Sequence, residues 1–190
     1  NTVFSSPQTI NLQTALPDIT GSLTLNGTGA NLLTVQRAFN AATNFRIFTV
    51  PSTAGQFSLS GMTISNGRAT GDYGGGIFSQ SNLTLTNVHL TGNQAFGGGG
   101  VNLVDADGVF TNCTFSGNMA SNQGGGINYE GNGGHTLRLV NSTVSGNTAN
   151  GFGNGGGILN ISFGGNSTLA VTNSTIANNS AVGGGGIRTE

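Results

Sequence analysis

Six carboxylates make up the whole acidic inventory of this 190-residue chain. Three of them fall in one stretch, Asp105, Asp107 and Glu130, with His135 and Arg138 close behind in sequence. Glycoside hydrolysis needs two carboxyl groups held several ångströms apart on one face. Polysaccharide lyase chemistry needs cation-binding acids with a basic residue beside the substrate. In the repeat alignment given below, Val104 and Glu130 are equivalent positions, which sets Asp105 and Glu130 near each other on adjacent coils. The group is thus a candidate catalytic pair or a weak Ca²⁺ site. The reading preferred here is plainer: polar loop residues with no chemistry, and no metal or cofactor. His89 faces out of a strand by its alternation and is read the same way.

Other apparent motifs dissolve on inspection. Glycine runs such as Gly74-Gly75-Gly76 invite a phosphate-loop reading, but no helix pattern and no Gly-Lys-Ser/Thr ending follows them. The calcium-binding nonapeptide is absent too. Cys113 is the only cysteine, which excludes an internal disulfide and a cysteine-based metal cluster. It aligns with Val88, Ser142 and Ser174 and is expected as a small core residue. Asn-x-Ser/Thr occurs at Asn26, Asn82, Asn112, Asn141, Asn160, Asn166, Asn173 and Asn178. Asn82, Asn160 and Asn166 lie in variable stretches and are the glycosylation candidates.

Composition narrows the field further. Charged residues are 6% of the chain, against about 25% in an ordinary domain. Lysine is absent and the net charge is −1, so there is no basic footprint for nucleic acid. No apolar run is long enough for a membrane-spanning helix. Alternating apolar residues, 35% of the total, still suffice for a narrow core. A secreted or cell-surface location is expected.

The elements behind these residues are repeats. Gly74-Gly75-Gly76-Ile77, Gly98-Gly99-Gly100-Val101, Gly124-Gly125-Gly126-Ile127, Gly155-Gly156-Gly157-Ile158 and Gly184-Gly185-Gly186-Ile187 recur at steps of 24, 26, 31 and 29 residues. A period of this size marks a solenoid. A second block returns with it, as in Leu83-Thr84-Leu85-Thr86-Asn87-Val88-His89-Leu90-Thr91-Gly92-Asn93. An upstream copy begins at Phe57 and has Gly61 and Gly67 at the two Asn positions. Apolar and Ser/Thr residues alternate with a period of two, which is strand patterning. The alternation breaks at an Asn, which tolerates the left-handed region and suits a bend. The block is therefore two short strands around an Asn corner, and the glycine-led segment, for example Gly76-Ile77-Phe78, supplies a third.

Three short strands per coil, paired in parallel with the next coil, describe an all-β, parallel β-helix (β-solenoid). The general rule for parallel crossovers makes it right-handed. Length over mean repeat gives about seven coils in one domain, 1–190, with less regular coils over 1–70 and regular ones over 71–190. Asn87, Asn112, Asn141 and Asn173 are expected to stack as one side-chain ladder, and Asn93, Asn118, Asn147 and Asn179 as another. Amides in the first ladder would have no room for a glycan. Arg37 to Asn44 lacks the alternation and reads as a loop or a single helical turn. Asn1-Thr2-Val3-Phe4 is already strand-like.

The glycine motif paired with Phe115-Ser116-Gly117-Asn118 resembles the GGA[ILV] and FxxN repeats of chlamydial polymorphic outer membrane proteins, with Gly in place of Ala. Ala15-Leu16-Pro17-Asp18-Ile19-Thr20-Gly21-Ser22-Leu23-Thr24-Leu25, followed by repeats like Asn141-Ser142-Thr143-Val144-Ser145-Gly146-Asn147, resembles bacterial CSLREA-type repeat proteins. Both resemblances imply a β-helical protein of the bacterial surface or exterior. With Gly184 to Ile187 opening a further coil, two continuations are expected: more coils of a longer chain, or a second copy completing the coil head-to-tail in a filament. The function expected is structural or adhesive, with glycans as further partners. The competing class is the carbohydrate-active enzyme. An aromatic glycan platform is disfavoured, since Tyr73 and Tyr129 are the only tyrosines and tryptophan is absent.

Overall fold

A computed structural model describes residues 5–151 and 155–190. The strand-like Asn1-Thr2-Val3-Phe4 lies outside the described residues. The chain is a parallel β-solenoid of about six turns, close to the seven expected, and no helix occurs among the described residues. Among the described residues, three sheets of 11, six and five strands run along its axis.

The repeated block builds the 11-stranded sheet. Its two arms are Gly108–Thr111 and Thr114–Ser116 in one coil, and Thr136–Val140 and Thr143–Ser145 in the next. Between the arms stands the Asn corner. Asn87, Asn112, Asn141 and Asn173 have φ of 54, 55, 50 and 47°, and Gly61 takes the same place at 60°. Asn supplies this left-handed conformation at lower cost than most side chains, which explains its recurrence. The glycine-led segment forms the six-stranded sheet, with Val101–Val104, Ile127–Glu130 and Ile158–Ile161 in unbroken register.

The five-stranded sheet was not anticipated. Its strands follow the inner Asn position, Gly67 in the upstream copy, and include Arg68–Tyr73, Gln94–Gly97, Met119–Gln123 and Thr148–Ala149. Their signature is an alanine column, Ala69, Ala95, Ala120 and Ala149, each buried. Gln8–Leu12, the first described strand, also went unnoticed. Residues 38–44 form a loop with a single turn, closed by Ala41 N–H to Ala38 O at 3.1 Å.

Each coil contributes a few apolar side chains to a continuous core. Leu85, Val88, Leu90, Val101 and Leu103 of one coil are fully buried, as are Phe110, Phe115 and Ile127 of the next. Burying one such side chain is worth about 1.5–3 kcal/mol, so every added coil strengthens the stack. Cys113 is in this core, 1% exposed, as its alignment suggested. Burial pushes its thiol up to about 11, partly offset by hydrogen bonding to backbone near Val88, Thr111 and Asn87.

The glycine triplet and the inner Asn ladder are one device. Gly98, first in its triplet, has φ of 63°, and a Cβ there would meet Val101 O at 2.4 Å. At Gly99 a Cβ would meet Gly125 O at 2.5 Å and Met119 O at 2.6 Å. At Gly100 it would meet Gly126 O at 2.6 Å and the Asn118 amide at 3.2 Å. The triplet thus turns the chain, lets coils touch backbone to backbone, and leaves room for the ladder beside it.

Candidate functional site

The acids lie where the six-stranded sheet hands over to the 11-stranded sheet. Residues 105–107 make that corner, and Asp105 takes a left-handed φ of 48°. Asp105 N–H donates to Glu130 O at 2.8 Å, so the two residues are neighbours on adjacent coils, as the alignment required. Their side chains have separate partners. Asp105 Oδ1 accepts from Asn132 N–H at 2.8 Å, and Asp107 Oδ1 accepts from Thr136 N–H at 2.8 Å. Asp107 N–H in turn donates to Asn82 Oδ1 at 3.0 Å in the coil before. The carboxylates of Asp105 and Asp107 therefore fasten the 131–136 loop to its neighbour.

Glu130 turns back along its own strand, where Asn128 Nδ2 donates to its Oε1 at 2.5 Å. Burial raises the Glu130 pKa, the Asn128 bond lowers it in part, and the nearby Asp105 charge raises it again. A carboxyl so placed holds its proton to higher pH, the property of a general acid. His135 Nδ1 stands 3.7 Å from Asp107 Oδ1. Arg138 shares with Asp107 and Thr136 an open surface hollow of about 400 Å³. Among the described residues no group of three or more His, Cys, Asp or Glu side chains could hold a metal ion.

Beneath the corner, Tyr129 is completely buried and its hydroxyl has no hydrogen-bond partner among the described residues. Its pKa is raised by burial, then by Asp107 and Asp105. Beside Glu130, Asn102 and Asn128 are also buried, although both lie in the column that alternates with the core residues Val101 and Leu103. These two asparagines were missed in the sequence. The signal was there, because each directly follows a glycine triplet and its β-branched residue.

The ladder residues divide. In the inner column Asn93 Nδ2 donates to Asn118 Oδ1 at 3.1 Å, Asn118 to Asn147 at 3.0 Å, and Asn147 to Asn179 at 2.9 Å. Each backbone N–H adds a bond to the same oxygen, and each Nδ2 also reaches a carbonyl one coil back, as Asn118 does to Leu90 O at 2.9 Å. The outer column corrects the expectation. Asn87, Asn112, Asn141 and Asn173 are exposed, and among the described residues no hydrogen bond joins their side chains. The left-handed corner keeps these amides in water, where pairing gains little. The ladder on that side is one residue on, where Cys113 N–H donates to Ser142 Oγ at 3.1 Å and Ser142 N–H to Ser174 Oγ at 3.0 Å. A stacked outer amide is therefore no barrier to a glycan at Asn112, Asn141 or Asn173.

Of the three glycosylation candidates, Asn82 and Asn166 are exposed. Asn160 is not in a loop. It lies in the strand Ile158–Ile161, 6% exposed, in register with the core residue Tyr129, and accepts from Ser167 Oγ at 3.0 Å. A buried, hydrogen-bonded amide is a poor acceptor. His89 is exposed, as its alternation indicated. No family model, curated protein or solved structure matches this chain.

Proposed function

We propose that the chain is a secreted or surface-exposed structural or adhesive β-solenoid whose copies stack head-to-tail into filaments. The observation that carries this reading is a column of core residues with apolar side chains exposed towards both ends of the described coils. Ile10 is in register with Val35, and the column continues through Ile64, Leu90, Phe115 and Val144 to Ile176. Ile10 is 49% exposed. It borders an apolar hollow of about 290 Å³ shared with Leu12, Leu16, Leu25 and Phe48. At the other end Val171 and Ile187 are exposed. A second copy continuing the register seats Ile10 on Ile176 and pairs both open strand edges, which relieves the hazard of unpaired backbone groups.

A non-catalytic role is supported by Asp105 and Asp107, whose carboxylates are committed to backbone N–H groups. Electron microscopy and light scattering over a concentration series test the proposal. Wild type is expected to form filaments, and Ile10→Asp to stay monomeric with an unchanged circular dichroism spectrum. Monodisperse wild-type monomers at high concentration would overturn it. The competing class, a carbohydrate-active enzyme using Asp105, Asp107 and Glu130, is tested by a polysaccharide depolymerisation screen, where activity lost on Asp105→Ala would establish it instead.

A further inference from the structure

The six-stranded sheet carries a polar row with a feature the loop ties do not share. Asn102 and Asn128 are register partners on adjacent coils, 1% and 0% exposed. Asn128 Nδ2 donates both to Asn102 Oδ1 at 2.6 Å and to Glu130 Oε1 at 2.5 Å. The remaining amide atoms, Asn102 Nδ2 and Asn128 Oδ1, are buried with no partner among the described residues. Leaving such atoms unpaired is costly, so their presence calls for a reason.

The reason lies in what the unpaired atoms permit. Among the described residues nothing outside the row grips either amide, so both can turn over without breaking any other hydrogen bond. The row therefore has two wirings. An ionised Glu130 can only accept, and Asn128 must offer it Nδ2. A protonated Glu130 donates its O–H to Asn128 Oδ1 once that amide has turned. Asn102, turned likewise, gives Nδ2 to the same oxygen. Each wiring contains two hydrogen bonds, and the proton on Glu130 decides between them.

We propose that Glu130, Asn128 and Asn102 form a proton-operated switch, in which one carboxyl sets the orientation of two buried amides on neighbouring coils. The charged and titratable groups around it are few. Asp105 adjoins Glu130 through its backbone N–H and opposes a second negative charge. Tyr73 feels the Glu130 charge from the five-stranded side. Below Asn102 in register lies Phe78, capped by Arg46, which pairs with Asp72. Beyond Asn128 lie Leu159 and Arg188, the latter paired with Glu190. Both cations thus have their own acids, and neither is drawn to Glu130. Burial of Glu130 places the switching point above the ordinary carboxylate range.

Side-chain amide NMR of the full chain, titrated from acid to neutral pH, tests this. The Asn102 and Asn128 amide resonances are expected to move together along one titration curve. In Glu130→Gln that movement should vanish, and Asp105→Asn should lower its midpoint by removing the neighbouring charge. Amide resonances that stay fixed, that move equally in Glu130→Gln, or whose midpoint ignores Asp105→Asn would overturn the proposal.

Discussion

Replacing Asn118 by Ala should remove the centre of the inner ladder at a cost no surface asparagine approaches. The Asn118 side chain takes part in four hydrogen bonds. Its Nδ2 donates to Leu90 O and Asn147 Oδ1, and its Oδ1 accepts from the backbone N–H and Nδ2 of Asn93. All four are buried, and at about 1 kcal/mol net for each bond the loss is about 4 kcal/mol. That is a large part of the roughly 5–15 kcal/mol that holds a domain folded. Asn112→Ala is the matched control, because that amide is exposed and bonds to no other side chain among the described residues. It should cost only about 1 kcal/mol, the penalty for Ala at a left-handed φ of 55°. Asn112→Gly should be nearly neutral. Asn118→Asp sharpens the comparison by placing an oxygen against Leu90 O and Asn147 Oδ1, so it should be worse at neutral than at acid pH. Equilibrium urea unfolding, followed by far-ultraviolet circular dichroism, measures all four. If Asn118→Ala cost no more than Asn112→Ala, the assignment of the inner column as the stabilising one would fail.

Gly99→Ala should cost about 3 kcal/mol or more, because its Cβ meets backbone atoms that cannot move aside. Gly117→Ala, with open space around it and only a φ of 61° to accommodate, should cost about 1 kcal/mol. Glu130→Gln should change the pH dependence of stability with a defined sign. The folded pKa of Glu130 is raised, so its contribution is fully present in acid and is lost as pH rises through that pKa. The variant should therefore gain on wild type towards neutral pH and keep level with it in acid, as measured by thermal unfolding at several pH values. Cys113 should resist thiol reagents at mildly alkaline pH until the chain unfolds, given its burial and a pKa near 11.

Why some of this was legible in the sequence and some was not follows from what each residue does. Period-two alternation reports which side chains face the core, so the two arms of each block could be placed at once. The inner Asn column was legible because stacking demands one residue type at one position. The outer column uses the same residue for its backbone conformation, and letters alone do not separate the two uses. The five-stranded sheet was hidden because its regular rungs are as short as Thr148–Ala149, and alanine is a weak strand signal. Asn160 follows the longest step between glycine triplets, 31 residues, so in the letters alone its strand reads as a variable stretch. The acids were correctly set near one another, since register follows from the repeat. Which way a carboxylate turns depends on nearby backbone N–H groups, such as those of Asn132 and Thr136, that no spacing rule reveals.

The ladder also bears on how copies would meet, because it has a direction. In each coil the inner Asn gives its backbone N–H and one amide hydrogen to the Oδ1 of the next Asn. Among the described residues Asn179 meets no further Asn in this column, and in the proposed head-to-tail contact its donors would face the copy stacked next. The first described coil has Gln13, not Asn, in this column. Leu12 is in register with Arg37, which puts Gln13 level with Ala38 in the column that Asn93 joins two coils later. Gln13 uses its Nε2 to reach Asn40 Oδ1 at 3.2 Å, and its Oε1 accepts no hydrogen bond among the described residues. A head-to-tail contact in register therefore brings a free amide oxygen to the donors of Asn179. Gln13→Ala should then raise the concentration at which filaments form while leaving the unfolding midpoint of the monomer unchanged, since the side chain is exposed. Removing one or two hydrogen bonds at about 1 kcal/mol each predicts a shift of roughly fivefold to thirtyfold. Light scattering reads it directly. Filaments that form at the same concentration would mean that the copies meet in another register, or through another surface.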